Sequence, residues 1–351
     1  MKILVLPGDG IGPEIVRAST DVLDAADRKF GLDLDYTHRE MGFATYETQG
    51  TTLPDDILPL ARTMDGVLLG PISHLDYPPR DKGGVNVSAA FRVKLDLFAN
   101  IRPARTRTGV KHRGTDMDLV IMRESTEGMY PDRNMVAGTG EFMPTEDVAI
   151  SMRKVTSKAI ERIARASFEL AVKRRKKVTA VHKANAFVLT DGLFLKEVRK
   201  VAAEFPEVEL EEVLIDAMAA LLVRDASVYD VICSTNFYSD ILSDLASELS
   251  GSLGLAGSVN ANEDLCAAQA QHGSAPSIAG QDKANPTSMI LSAAMLLRWY
   301  GERKGGERFV EAADRIEAVI DDVLSDPARC TGDLGGPLGT RAFTQLVVDA
   351  I

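Results

Sequence analysis

Two carboxylates four residues apart, Asp240 and Asp244, close the stretch Ser234-Thr-Asn-Phe-Tyr-Ser-Asp-Ile-Leu-Ser-Asp244. With Asn236 as a cap, the segment is expected to be helical, and side chains one turn apart then point the same way. Like charges on one face repel. Water tolerates that, but Val228-Tyr-Asp-Val-Ile-Cys233 leads in with the composition of a buried strand, which argues for a cation between the carboxylates. Hard oxygen donors favour Mg2+ or Mn2+. The competing reading is a solvated helix face.

Other segments carry groups that a core has no use for. Arg92 to Arg102 reads Arg-Val-Lys-Leu-Asp-Leu-Phe-Ala-Asn-Ile-Arg, and Arg123 opens Arg-Glu-Ser-Thr-Glu-Gly-Met-Tyr130. Lys183 lies in His-Lys-Ala-Asn185 after one apolar run, and Asp216 follows another, Leu214-Ile215. Polar residues at strand ends are where open α/β sheets place their sites. Between Arg80 and Arg113 stand nine Lys or Arg and two Asp, within a chain whose formal net charge is −11. The acidic total argues against nucleic acid and anionic membranes as partners, while the local excess of cations suits a small polyanion.

The elements that must hold these groups read as an α/β chain long enough for two lobes. Strands are expected at Lys2–Leu6, Gly66–Leu69, Leu119–Met122, Lys177–Val181, Val208–Ile215 and Val228–Cys233, with helices at Ile15–Phe30, Thr156–Lys173, Gly192–Phe205 and Pro286–Tyr300. Gly8, Gly10 and Gly12 after the first strand invite a dinucleotide fingerprint, but Pro13 stands where its last glycine is required. A P-loop is likewise excluded, since no Lys-Ser/Thr follows the turn. Three widely spaced cysteines with no CxxC indicate neither a disulfide framework nor zinc. With Ile3–Leu6 too short for a secretory apolar core, a cytoplasmic protein is expected.

Read in order, GDGIGPE, LDLFANIRP, RESTEGMY, HKAN, NFYSDILSD, HGSAP and TGDLGG resemble the β-decarboxylating dehydrogenases, the family of isocitrate, isopropylmalate, homoisocitrate and tartrate dehydrogenases. The resemblance covers essentially the whole chain. It implies a two-domain α/β fold that is not a Rossmann fold. Residues 1–97 and 251–351 would form a large cofactor-binding domain, and 98–250 a small domain with the dimer interface and an arm. It also implies a homodimer with active sites shared between subunits. The reaction would be metal-dependent oxidative decarboxylation of a 2-hydroxy acid, with reduction of NAD or NADP.

Residue by residue, the resemblance makes Arg92, Arg102 and Arg123 the substrate-carboxylate ligands, and guanidinium supplies the planar fork that carboxylates pair with. Asp216, Asp240 and Asp244 would hold the Mg2+ or Mn2+, with substrate and water completing the octahedron. Lys183 matches the general base, arriving with Asp216 from the other subunit, and Tyr130 matches the acid that protonates the enol. Ile11, Glu14, His272, Gly273, Ser274, Ala275, Ser277 and Asn285 match the adenosine-binding part.

Three departures stand out. Ser277 replaces the Asp usual in NAD enzymes, Ser277-Ile278 is not the Lys-Tyr of NADP enzymes, and Gln269-Ala270 replaces a usual Glu-Pro. NAD is expected, with NADP the alternative, because no cation replaces the lost Asp. Asn86 and Ser88, ahead of Arg92, carry the two polar types of isocitrate enzymes in exchanged positions, and RESTEGMY is closer to the isocitrate and homoisocitrate branch. Isopropylmalate, tartrate and malate remain alternative substrates. A non-catalytic regulatory subunit is the alternative of another class, against which the retained Tyr130, Lys183, Asp216, Asp240 and Asp244 argue.

Overall fold

Alternating apolar strands and amphipathic helices fold into two units in the computed structural model, which describes residues Met1–Ile351. Met1–Leu95, Arg107–Lys111 and Gly251–Ile351 form the first unit, and Asp96–Thr106 with His112–Ser250 the second. The first begins with β1 (Lys2–Leu6), α1 (Gly12–Phe30), β2 (Asp35–His38), α2 (Phe43–Gln49), α3 (Ile57–Ala61), β3 (Gly66–Leu69) and α4 (Val87–Lys94). The second holds β4 (Ala99–Arg105), β5 (Asp118–Glu124), the hairpin of β6 (Glu141–Thr145) and β7 (Val148–Ser151), α5 (Ser157–Val172), β8 (Lys177–His182) and α6 (Thr190–Ala202). It continues through β9 (Glu209–Leu214), α7 (Ile215–Arg224), β10 (Val231–Ser234) and α8 (Asn236–Ser250). The chain then returns to the first unit as β11 (Val259–Ala261), β12 (Cys266–Gln269), α9 (Thr287–Tyr300), α10 (Glu307–Leu324) and α11 (Thr340–Ala350).

In the first unit β1 pairs in parallel with β2 and β3, β3 in parallel with β12, and β12 antiparallel with β11. Helix α9 is buried along nearly its whole surface and packs on β12 and on α1 and α10. The turn after β1 needs its glycines: Gly10 has φ +59°, and a Cβ there would meet Ser274 O at 2.0 Å. Pro13 falls in the first turn of α1, where a missing N–H costs nothing.

In the second unit the strand order is β4-β5-β10-β8-β9, antiparallel at β4-β5 and parallel elsewhere. Both faces of β5, β8 and β10 are covered, so these strands read as largely apolar runs. Val120, Met122, Val231 and Cys233 face Ile160, Ile163 and Phe168 of α5 and Phe194 and Val198 of α6. The alternate residues Leu119, Ile121 and Ile232 face Met218 and Leu222 of α7 and Leu242, Ala246 and Leu249 of α8.

Two expectations need correction. The cations of the run from Arg80 to Arg113 are divided between the units and partly neutralised: Arg102 belongs to the second unit and pairs with acids of α8, whereas Arg107 belongs to the first and pairs with Asp321 of α10. Asn236 lies inside α8, its amide committed to Arg123 and to the carbonyl of Glu127.

Candidate active site

Strand register gathers the charged candidates of the second unit. Asn100 lies opposite Arg123 and Arg102 opposite Ile121, so both arginines emerge on the face that α8 covers. Arg102 and Arg123 are almost wholly inaccessible, at 6% and 1% exposure. Two buried guanidiniums need acceptors around them. Arg102 Nε donates to Asn100 Oδ1 (2.7 Å), and its Nη1 donates to Ser243 Oγ (2.6 Å) and Asp240 Oδ1 (3.2 Å), with Asp244 Oδ1 at 3.6 Å. Arg123 Nε donates to Asn236 Oδ1 (2.8 Å), and its Nη1 pairs with Asp240. Burial first, then the neighbouring Arg123 cation, lowers the Arg102 pKa to about 10.

Tyr130 completes this cluster. Its hydroxyl donates to Asp240 Oδ2, and its ring lies under Arg133 (4.7 Å) and Arg123 (5.6 Å). Burial raises its pKa, Arg123 opposes that, and Asp240 raises it further, so near neutrality the phenol is a proton donor. The spacing of Asp240 and Asp244 on one face of α8 suggested a cation between them. In this structure the cations nearest them are guanidinium groups, and both carboxylates keep substantial exposure, 36% and 57%.

Lys183 and Asp216 form a different pair. The turn after β8 presents Lys183, whose Nζ donates to Asp216 Oδ1 (2.5 Å) in the first turn of α7. That hydrogen bond holds the Asp216 carboxyl below its ordinary pKa. Asp216 does not join Asp240 and Asp244 within one chain, and no group of three or more His, Cys, Asp or Glu side chains is placed to hold a metal ion. The donor chemistry still suits Mg2+ or Mn2+: Asp240 and Asp244 offer part-exposed oxygens one turn apart, and Mg2+ normally takes only one or two carboxylates besides water and substrate.

The first unit carries the remaining candidates. Asn86 caps α4 by accepting from Ala89 N (3.0 Å). Ser88 Oγ accepts from Gln269 Nε2 (2.7 Å), and Arg92, one turn on, donates to Asn260 Oδ1 (2.8 Å). The glycine turn and the His272-Gly-Ser-Ala-Pro276 loop are locked together: Ile11 N donates to Ser274 O (2.8 Å), and Ser274 Oγ meets Ser73 Oγ at 2.7 Å. Ala275 sits at φ +38°, a conformation costing a non-glycine residue roughly 1–2 kcal/mol. Glu14 Oε1 accepts from Gly280 N (3.3 Å), and Asn285 Nδ2 donates to Asp333 Oδ2 (3.0 Å). His272 Nδ1–H donates to the Gly273 carbonyl (2.9 Å), and burial lowers its pKa. Ser277 is exposed, and its carbonyl accepts from Gln281, which accepts in turn from Lys283.

Asn100, Asn260 and Gln269 hydrogen-bond to the candidates Arg102, Arg92 and Ser88, and none of the three was itself among the expected site residues. Asn100 and Asn260 carry no sequence signal beyond a polar residue within a strand, whereas Gln269 stands out in the sequence as a departure from the family's Glu-Pro.

A family model described as isocitrate/isopropylmalate dehydrogenase matches residues 2–351. The chain is 41% identical over 352 residues to an isocitrate/homoisocitrate dehydrogenase of Thermus thermophilus, covering 100% of this chain and 98% of that protein. It is 40% identical over 355 residues to a 3-isopropylmalate/3-methylmalate dehydrogenase of Methanocaldococcus jannaschii, with the same two coverages. The crystal structure of an isocitrate dehydrogenase from Methylococcus capsulatus superposes with a TM-score of 0.88 at 38% identity, covering 99% of this chain and 98% of that one.

Proposed function

We propose, from the premise that the chain belongs to the isocitrate/isopropylmalate dehydrogenase family and is a decarboxylating oxidoreductase, that its substrate is a 2-hydroxy acid of the isocitrate or homoisocitrate type. The carrying observation is the Ser88–Gln269 hydrogen bond, one helical turn from Arg92. That arrangement offers a hydroxyl and an amide where an isopropyl substituent would need an apolar wall. Ser88 accepts from Gln269 and keeps its own O–H to donate, which a polar substituent could use and an isopropyl group would cover unpaired. Isopropylmalate, tartrate and malate are the alternatives.

Arg102 and Arg123 would bind substrate carboxylates, with Arg92 contributing from α4, and their fixed hydrogen bonds orient the forks before the substrate arrives. Asp240 and Asp244 would hold Mg2+ or Mn2+, with Asp216 supplied by a second copy of the chain. When bound, the metal polarises the substrate oxygens and NAD accepts the hydride. Lys183, also from the second copy, would take the hydroxyl proton as the neutral amine, the form that a neighbouring divalent cation favours, and Tyr130 would deliver a proton to carbon after CO2 has left. Ile11, Glu14, His272–Ala275, Ser277 and Asn285 would hold the adenosine part of the cofactor.

Exposed apolar residues support the shared site. Val188 and Leu189 are 68% and 86% exposed beside Lys183, and Ile241 of α8 is 50% exposed. Phe142, Met143, Val148 and Ile150 stand out on the β6–β7 hairpin. Apolar surface of this kind marks a protein–protein interface, here between two copies.

The test is a panel of isocitrate, homoisocitrate, 3-isopropylmalate, D-malate and tartrate with Mg2+ and NAD. Isocitrate or homoisocitrate should give the highest kcat/KM, and Ser88→Leu should lower it by on the order of tenfold while raising that for 3-isopropylmalate. A wild-type preference for 3-isopropylmalate would overturn the proposal.

A further inference from the structure

Asp191, in the first turn of α6, is a fully buried carboxylate with no place in the chemistry described above. Its side chain reaches back eight residues: Oδ2 accepts from the backbone N–H of Lys183 (2.5 Å) and from Tyr238 OH (3.2 Å). Oδ1 lies 2.6 Å from Arg153 Nη1 as an ion pair, without the alignment of a hydrogen bond. Arg153 is itself held, donating to Thr235 Oγ1 (3.0 Å) and lying 5.0 Å from the Tyr238 ring centroid and 5.4 Å from that of Phe187.

The turn it serves is pinned on both sides of Lys183. His182 Nδ1 accepts from Ala184 N (3.0 Å), and the Lys183 carbonyl accepts from Ala186 N (3.0 Å) and Phe187 N (2.8 Å). Only one of these partners is a buried charge. An ion pair taken out of water is costly to keep, and an apolar pair of similar shape would serve packing as well or better. A buried carboxylate aimed at the N–H of Lys183 therefore points to a demand for position.

We propose that Asp191, held by Arg153 and Tyr238, is a positioning residue that fixes the Lys183 backbone and so the reach of its side-chain nitrogen. This rests on the reading of Lys183 as the proton acceptor. Asp191 touches no reacting atom, and its effect passes through the peptide of Lys183.

Three variants test it. Asp191→Ala removes acceptor and charge, Asp191→Asn keeps an oxygen acceptor and loses the charge, and Arg153→Lys keeps the cation. With isocitrate, or the acid of the panel that turns over best, Asp191→Ala should lose roughly 10- to 100-fold in kcat per folded molecule, the scale of a displacement near 1 Å. KM should stay within about twofold, because no substrate contact is removed. Asp191→Asn and Arg153→Lys should lose less, and amide exchange across residues 183–187 should quicken in the order of the kcat losses. Should Asp191→Ala not fold, the other two variants carry the test. Wild-type kcat in the folded variants, or a loss confined to KM, overturns the proposal. Lys183→Met separates the two levels: turnover retained there removes both the Lys183 reading and this one, whereas an inactive Lys183→Met beside fully active Asp191 variants removes the positioning role alone.

Discussion

Replacing Asp240 by Asn should reveal that this carboxylate serves the metal-free fold before it serves any ligand. Repulsion between Asp240 and Asp244 alone would make the substitution neutral or stabilising in the apo protein. The structure gives the opposite sign. Asp240 accepts from Arg102, Arg123 and Tyr130, and the two guanidiniums are 6% and 1% exposed, so an amide in its place leaves buried cations short of an anion. Charge-assisted bonds contribute about 1.5–3 kcal/mol each, but the carboxylate is part exposed and the Asn amide oxygen still accepts, so each is weakened rather than lost and Asp240→Asn should cost about 2–3 kcal/mol in all. Asp244, 57% exposed and 3.6 Å from Arg102, should change apo stability by no more than about 0.5 kcal/mol when replaced by Asn. Urea unfolding followed by far-ultraviolet circular dichroism, with EDTA present, measures both. Calorimetric titration with Mn2+ should show affinity falling on the order of tenfold or more in each variant, since each removes a proposed ligand. The reasoning is refuted if apo Asp240→Asn is as stable as wild type, or if Asp244→Asn is equally costly.

Mixing inactive Lys183→Met with inactive Arg123→Ala should recover up to about a quarter of wild-type activity, because half of randomly exchanged dimers carry one intact site of two. A mixture shown by mass spectrometry to exchange subunits, yet without turnover, counts against a site shared between copies. Ser277→Asp should lower KM for NAD and raise the preference for NAD over NADP by on the order of tenfold, as it adds a ribose-binding carboxylate that also repels a 2′-phosphate. An unchanged preference in the folded variant would move cofactor selection to Gln281 and Lys283, which are chained to the Ser277 carbonyl.

What could be read from sequence followed how local the determinant was. The α/β class and the strands Lys2–Leu6 and Gly66–Leu69 were legible because parallel strands covered on both faces are unbroken apolar runs. Helix α5 was legible from its apolar stripe, and the structure adds that Thr156 caps it by accepting from Ala159 N. Strand β4 was not, since Ala99–Arg105 carries Asn100, Arg102, Pro103 and Arg105 and gains its strand character from pairing with β5. The hairpin β6–β7 was equally silent, with every residue exposed and no buried face to impose alternation. Helix α10 carries an equally regular apolar stripe, Phe309, Ala312, Ala313, Ile316, Val319 and Ile320.

The candidate site divides the same way, with residue types visible and partners hidden. Arg102, Arg123, Tyr130 and Asp240 could each be picked out along the chain, but nothing in their spacing says that one carboxylate would answer two guanidiniums and a phenol. That arrangement has a consequence for binding on the proposed reading. An ionised carboxylate has about four acceptor positions, so Asp240 need not release both arginines to admit a metal. A substrate carboxylate arriving with the metal would bring the guanidiniums a second anion while the metal draws on the first. Charge then stays matched throughout loading, and the buried arginines never stand unpaired, the state that would be costliest in so dry a cluster.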